Sequence, residues 1–158
     1  MTTSPAIIRQ PAEGETLSVV GDQMRVLADS ASSSGACAIF EETSTFGVGP
    51  PMHRHARDDE HFYVLAGLYK FSVNGQESIL GPGGYAFAPR RSVHTFLNIT
   101  PTTSPTPGRM LVVCTPGGLE NPFRVCDRLA KEGNNSIDAA VEAFKQHDLE
   151  ILGPPLSP

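Results

Sequence analysis

Glycine and proline interrupt this chain so often that its first 118 residues cannot hold a long helix. There are 15 glycines and 14 prolines among 158 residues, spread along the chain rather than gathered in one linker. Proline lacks an amide hydrogen and glycine readily enters turn conformations, so both act as breaks between elements. Between them lie short apolar or alternating runs at 18–20, 24–27, 36–40, 60–65, 68–73, 77–80, 85–88, 93–97 and 110–114. Many short strands separated by turn signals predict an all-β sandwich or barrel. Asn74-Gly75 reads as a two-residue hairpin, because both positions tolerate positive φ. The segment from Gly81 to Gly84 reads as a tight reversal, and residues 99–108, rich in Thr, Ser and Pro, as an exposed loop.

Beyond Gly118 the pattern becomes helical. Asn121-Pro122 suggests a cap with proline at the first helical position, and Gly133 closes that segment. Asn135 or Ser136 then caps a second helix, in which Ile137, Ala140, Val141 and Phe144 form one apolar stripe. The tail from Ile151 cannot stay helical. A chain of this length holds one good core. Residues 1–118 are therefore expected to form a β-barrel that includes the N-terminal strands, and 119–158 a helical extension packed on its outside or mouth.

The formal net charge is −5 and the pI about 5.5, which argues against a nucleic-acid or anionic-membrane partner. No segment approaches the roughly 18 apolar residues of a membrane span, and the first ten residues hold no apolar run of signal-peptide length. Cys37, Cys114 and Cys126 are widely spaced and odd in number, which fits free thiols in a reducing compartment. A cytoplasmic location is the expectation.

Four side chains carry the chemistry: His53, His55, Glu60 and His94. Alternate positions on a strand share a face, so His53 and His55 point the same way with backbones about 7 Å apart. Ala56-Arg57-Asp58-Asp59 reads as a polar turn, after which Glu60 returns a carboxylate to the same point. Glu60, Phe62 and Val64 share one face of their strand, and His61, Tyr63 and Leu65 the other. His94 arrives from a different strand, in phase with Phe96. Three imidazoles and one carboxylate suit a divalent transition metal and leave coordination positions open for water, oxygen or substrate. His61 and His147 read as structural or surface residues, and Asp58 and Asp59 as solvated turn residues.

The two segments resemble the signatures of the cupin superfamily. Gly47, His53, His55, Glu60 and Gly67 match the first without a gap, and Gly83, Pro89, His94 and Asn98 match the second. Arg91 stands where glycine is usual, which places a charged side chain near the mouth. The resemblance implies a double-stranded β-helix, or jelly-roll, barrel with a short C-terminal helical extension. It implies one divalent metal (Fe, Mn, Ni, Cu or Co) held by His53, His55, Glu60 and His94, and a homodimer. More loosely, the stretch from Glu60 to Asn98 with the tail is similar to proteins grouped with quercetin 2,3-dioxygenases.

The leading expectation is a metal-dependent dioxygenase acting on a small enolic or phenolic, flavonol- or polyketide-like substrate, with dioxygen as a partner. Glu60 would be both ligand and base. Phe62, Phe71, Tyr85, Phe87 and Phe96 would supply apolar walls if their strands face inward, and Arg91 a charge at the mouth. A second expectation keeps the metal as a Lewis acid in an isomerase, cyclase, dehydratase or decarboxylase. A third is a non-enzymatic small-molecule-binding barrel, which has no need of an open metal position.

Overall fold

Antiparallel pairing with strict alternation of faces organises this chain. The computed structural model describes residues 6–158. The strands are β1 (Thr16–Val19), β2 (Asp22–Ala28), β3 (Ala38–Ser44), β4 (Met52–His55), β5 (Asp59–Ala66), β6 (Tyr69–Val73), β7 (Gln76–Leu80), β8 (Tyr85–Ala88), β9 (His94–Asn98), β10 (Gly108–Thr115) and β11 (Leu149–Gly153). Two helices, α1 (Glu120–Lys131) and α2 (Ile137–Lys145), lie between β10 and β11. One sheet runs β1-β2-β3-β10-β5-β8 and the other β11-β4-β9-β6-β7. Facing each other, they make an all-β jelly-roll barrel with a short helical extension. No described helix is long and apolar enough to cross a membrane.

The runs expected from alternation are strands, and their phases follow the side chains. In β3, Ala38, Phe40, Glu42 and Ser44 are buried while the residues between them are partly exposed. In β5, Glu60, Phe62 and Val64 point inward and Tyr63 and Leu65 outward. The inner faces meet in an aromatic group: the Phe62 ring lies 5.4 Å from Phe71 and 5.7 Å from Phe96, and Phe71 lies 5.8 Å from Phe96. Such pairs add about 0.5–1.5 kcal/mol each beyond the area they bury.

The local turn signals hold as well. Val73 pairs with Gln76 across Asn74 (φ 50°) and Gly75 (φ 80°), the left-handed pair that a tight hairpin needs. The amide of Gly84 donates to the carbonyl of Gly81 at 2.8 Å and closes the second reversal. All three cysteines are free.

The extension differs in two respects. Helix α1 begins two residues earlier than the proline signal suggests, with Leu119 at its N-cap. The reason is Glu120, which is buried and accepts the amide of Gly118 and the amide and hydroxyl of Ser30. This carboxylate ties the start of the helix to the preceding loop and to the Ser30 segment, while the N-cap itself makes no side-chain hydrogen bond. Ser136 caps α2 as expected, accepting the amide of Ala139 at 3.2 Å. The second difference is β11, which returns from the helices to pair with β4.

Asn98, with no exposed surface, ties β9 to its surroundings. Its Nδ2 donates to the Ser44 carbonyl at 2.8 Å and the Ser44 hydroxyl at 3.0 Å, while Oδ1 accepts the Thr100 amide at 2.7 Å. Ser44 Oγ also lies 3.0 Å from the buried Tyr69 hydroxyl. Replacing Asn98 with leucine strands these groups away from water. Asn98→Leu is expected to lower unfolding free energy by about 2–3 kcal/mol, from unmet buried hydrogen bonds, as read by urea denaturation. The far-ultraviolet spectrum should remain that of the native fold.

Candidate metal centre

The two sheets divide the ligand set between them. His53 and His55 come from β4 and His94 from β9, neighbours in one sheet, with His53 directly opposite His94 in the register. Glu60 opens the inward face of β5 in the other sheet. Ala88 lies opposite Glu60, and Ala86 opposite Phe62, in β8. These small side chains leave space for the carboxylate and the ring. All four ligand residues are buried, and one donor atom from each lies within 4.8 Å of the others.

Glu60 Oε2 is the point of convergence. It lies 2.7 Å from His94 Nε2, 3.1 Å from His55 Nε2 and 4.0 Å from His53 Nε2. The opposite ring nitrogens are held outward. His53 Nδ1 lies 2.8 Å from the Pro51 carbonyl, and His94 Nδ1 lies 3.1 Å from the Ser92 carbonyl. With Nδ1–H donating to these carbonyls, Nε2 presents its lone pair to the centre, an arrangement typical of metal-ligating histidines. His55 Nδ1 is a longer 3.5 Å from Asp58 Oδ2. Asp58 thus places a carboxylate beside the outer nitrogen of His55 without a hydrogen bond to it.

The electrostatics of the cluster fit a cation. Burial depresses His53 to about 3, helped by the neighbouring His94. Burial also disfavours a charged His55, but the Glu60 carboxylate and Asp58 outweigh it and raise His55 to about 10. Glu60 has its own burial penalty reversed by His55 and His94, which hold it well below the usual carboxylate range. The metal-free cluster thus keeps a proton on an imidazole to balance the buried carboxylate. A divalent ion can take over that role, since three neutral imidazoles and one carboxylate are a suitable donor set for first-row ions. By donor chemistry, convergence and burial, the residues fit a metal.

The expected aromatic wall divides. Phe62 and Phe96 line the cavity of about 300 Å³ that opens beside His53, His55 and Glu60. Phe71 does not reach it, because it sits behind them in the core. Tyr85 and Phe87, 55% and 43% exposed, face outward from β8, since Ala86 and Ala88 take the inward phase. There His61 stacks on Phe87 at 4.6 Å and meets the Tyr85 hydroxyl at 2.7 Å, on the outer face of the barrel. Arg91 is exposed on the turn after β8 and also lies outside the cavity. Its φ of 69° is the left-handed conformation for which glycine is the usual choice. The turn persists, and the Arg91 amide donates to the His55 carbonyl at 2.7 Å.

Part of the remaining wall comes from the extension. Ile137, Ala140, Val141 and Phe144, the whole apolar stripe of α2, line the cavity, as do Phe123 of α1 and Leu149 of β11. Two acidic residues, Asp22 and Glu42, line it too. Alternation was the available signal for Glu42, which is in phase with Ala38 and Phe40.

Residues 43–114 match the family described as Cupin domain. Over that stretch the chain is similar to the cupin family. Among solved structures it is similar to KdgF from Halomonas sp. (TM-score 0.63, 18% identity, covering 73% of this chain and 98% of that one). It is also similar to an RmlC-like cupin from Shewanella frigidimarina (TM-score 0.61, 18% identity, 73% and 96%). A Streptomyces Pac13 variant with uridine is similar over nearly the whole length (TM-score 0.61, 12% identity, 96% of this chain and 94% of that one). At these identities the likeness is one of fold. No curated protein matches the chain by sequence.

The His53–His55–Glu60–His94 donor set makes metal binding pH-dependent in a definite direction. At neutral pH the metal-free cluster holds the His55 proton, because that group is raised to about 10. Binding must expel it, so lower pH favours the free protein and higher pH the bound one. Affinity is expected to rise about tenfold per pH unit between pH 6 and 8, as one proton is released per ion, measured by competition with a chelator. His53→Ala and His94→Ala should each lose bound metal on elemental analysis while remaining folded.

Proposed function

We propose that this protein is a metal-dependent oxygenase of dioxygenase type, acting on a small enolic or phenolic molecule, flavonol- or polyketide-like, with dioxygen as co-substrate. The observation that carries the reading is a cavity walled mainly by apolar side chains and lined also by His53, His55 and Glu60, three members of the cluster that His94 completes. A bound divalent transition ion supplies a Lewis-acid centre that eases deprotonation of an enol or phenol and, if redox-active, reactivity toward dioxygen. Both oxygen atoms enter the product in such a reaction, so no separate reductant is required.

The chain's own residues have the following parts. Phe62, Phe96, Val112 and the α2 stripe exclude water from a flat apolar substrate and strengthen every charge interaction inside. Glu60 accepts the substrate proton. Cys114 Sγ, 3.6 Å from Glu60 Oε1 and buried, closes the other side of the carboxylate without a second charge.

A second reading has one observation in its favour. Pac13 is described as a nucleoside dehydratase, and its likeness spans the helical extension as well as the barrel. On that reading the chain is a non-redox metal-dependent lyase or isomerase, and Glu60 moves a proton without dioxygen.

Oxygen dependence separates the two. Purified protein of known metal content, offered flavonols, enols and phenols, is expected to consume dissolved oxygen in step with substrate. Full turnover under anaerobic conditions with zinc in the site would transfer the assignment to the second reading. Glu60→Gln should reduce turnover at least tenfold more than it reduces metal content. Equal losses would make Glu60 a ligand alone.

A further inference from the structure

The same cavity has a second polar station. Asp22 opens β2 and Glu42 sits on the neighbouring β3, where Glu42 is directly opposite Met24. Asp22 and Met24 are in phase on β2, so Asp22 and Glu42 are diagonal neighbours on the inner face, a spacing within reach of carboxyl side chains. Both line the cavity. Glu42 is only 2% exposed, yet its Oε1 has no hydrogen-bond partner. Asp22 Oδ1 is likewise shielded and unpaired.

Buried polar atoms are seldom left unpaired, and a buried carboxylate without a counter-charge is costlier still. Here no lysine or arginine is among the described cavity walls. Burial raises Asp22 to about 7. Glu42 is pushed well above the usual carboxylate range, first by burial and then by the charges of Asp22 and Glu60, which the Ser44 hydroxyl offsets only in part. The buried Tyr69 hydroxyl, which also faces this pair, is itself pushed up by burial and by Glu42, and so remains protonated and neutral. Two neighbouring carboxyl groups in such a place cannot both stay charged, so at least one carries a proton. A half-protonated pair offers one O–H donor and several acceptor oxygens. A hydroxyl group, which donates and accepts at one atom, complements that pair. A carbonyl uses only the donor, and an ammonium group must be stripped of water to enter apolar walls.

We propose that Asp22 and Glu42 form a hydroxyl-binding station that grips an alcohol or phenol group on an otherwise apolar, uncharged ligand within the cavity. The inference deepens the enzyme reading by naming a second polar group on the substrate, and rests on that reading only in calling the ligand a substrate. Asp22 and Glu42 are then positioning and specificity residues.

The test uses three probes of nearly equal shape, toluene, benzyl alcohol and benzylamine, titrated into the full chain at pH 7 and followed by amide chemical shifts. Benzyl alcohol is expected to bind at least fivefold more tightly than toluene, with benzylamine weakest. Glu42→Met should abolish the alcohol preference, while Glu42→Gln, which keeps a donor and an acceptor, should retain most of it. Should Glu42→Met fail to fold, Asp22→Leu makes the same comparison. An equal affinity for toluene and benzyl alcohol overturns the proposal, as does a preference that survives both Glu42→Met and Asp22→Leu. Tightest binding of benzylamine overturns it in favour of a cation site. Metal content is measured in parallel, so failure of the metal reading shows as metal-free protein and leaves the probe comparison intact.

Discussion

Burying Glu60 among three imidazoles is the constraint to which the rest of this structure answers. A carboxylate taken out of water costs several kcal/mol unless positive charge meets it. In the metal-free cluster that charge is a proton on His55; with an ion bound it is the metal. Either state demands that donors from two sheets meet across the barrel interior with their outer nitrogens already engaged. The Pro51 and Ser92 carbonyls provide that engagement for His53 and His94, and Asp58 sets a charge 3.5 Å from His55 Nδ1. Each sits within three residues of its histidine. Local chain geometry therefore sets ring direction, and the sheet register sets ring position.

The apolar group beneath the cluster follows from the same alternation. Phe62 is two residues beyond Glu60 on β5, and Phe96 two beyond His94 on β9, so each strand that delivers a ligand also delivers a packing ring. The His94 ring lies 6.2 Å from that of Phe62. Polar chemistry at one level and dense aromatic packing at the next keep the centre rigid and dry. The cost of moving a ligand therefore includes the cost of opening a void in the core.

Much of this was legible in the sequence because it is written at short range. The spacing from Gly47 to Gly67 and from Gly83 to Asn98 singled out the four side chains that the fold brings together. Asn74-Gly75 located a hairpin, and the periodicity from Ile137 to Phe144 located the face of α2 that now walls the cavity. What escaped depends on partners distant in the chain. Tyr85 and Phe87 alternate with two alanines, and nothing local says which phase faces inward. The register with β5 decides it, because Glu60 and Phe62 need the space that Ala88 and Ala86 leave. The start of α1 moved because Glu120 finds Ser30, ninety residues away in sequence. Leu149 to Gly153 is short and followed by two prolines, so its strand character comes from the edge of β4 rather than from propensity.

That last strand links the extension to the chemistry. The register of β4 with β9 is the single pair His53–His94, whereas β11 pairs with β4 from Met52 through His55. Ile151 lies opposite His53 and Leu149 opposite His55, and Arg54 meets Glu150 at 2.7 Å on the outer side. An edge strand with one partner position on its inner side is free to splay, and a strand holding two of four ligands cannot splay without dispersing them. β11 removes that freedom by supplying the missing neighbour. Its chain direction also carries α2 across the cavity just before, so one segment fixes the ligand strand and closes the apolar wall. The C-terminal forty residues are thus part of the site's construction, tying the shape of the cavity to the position of His53 and His55.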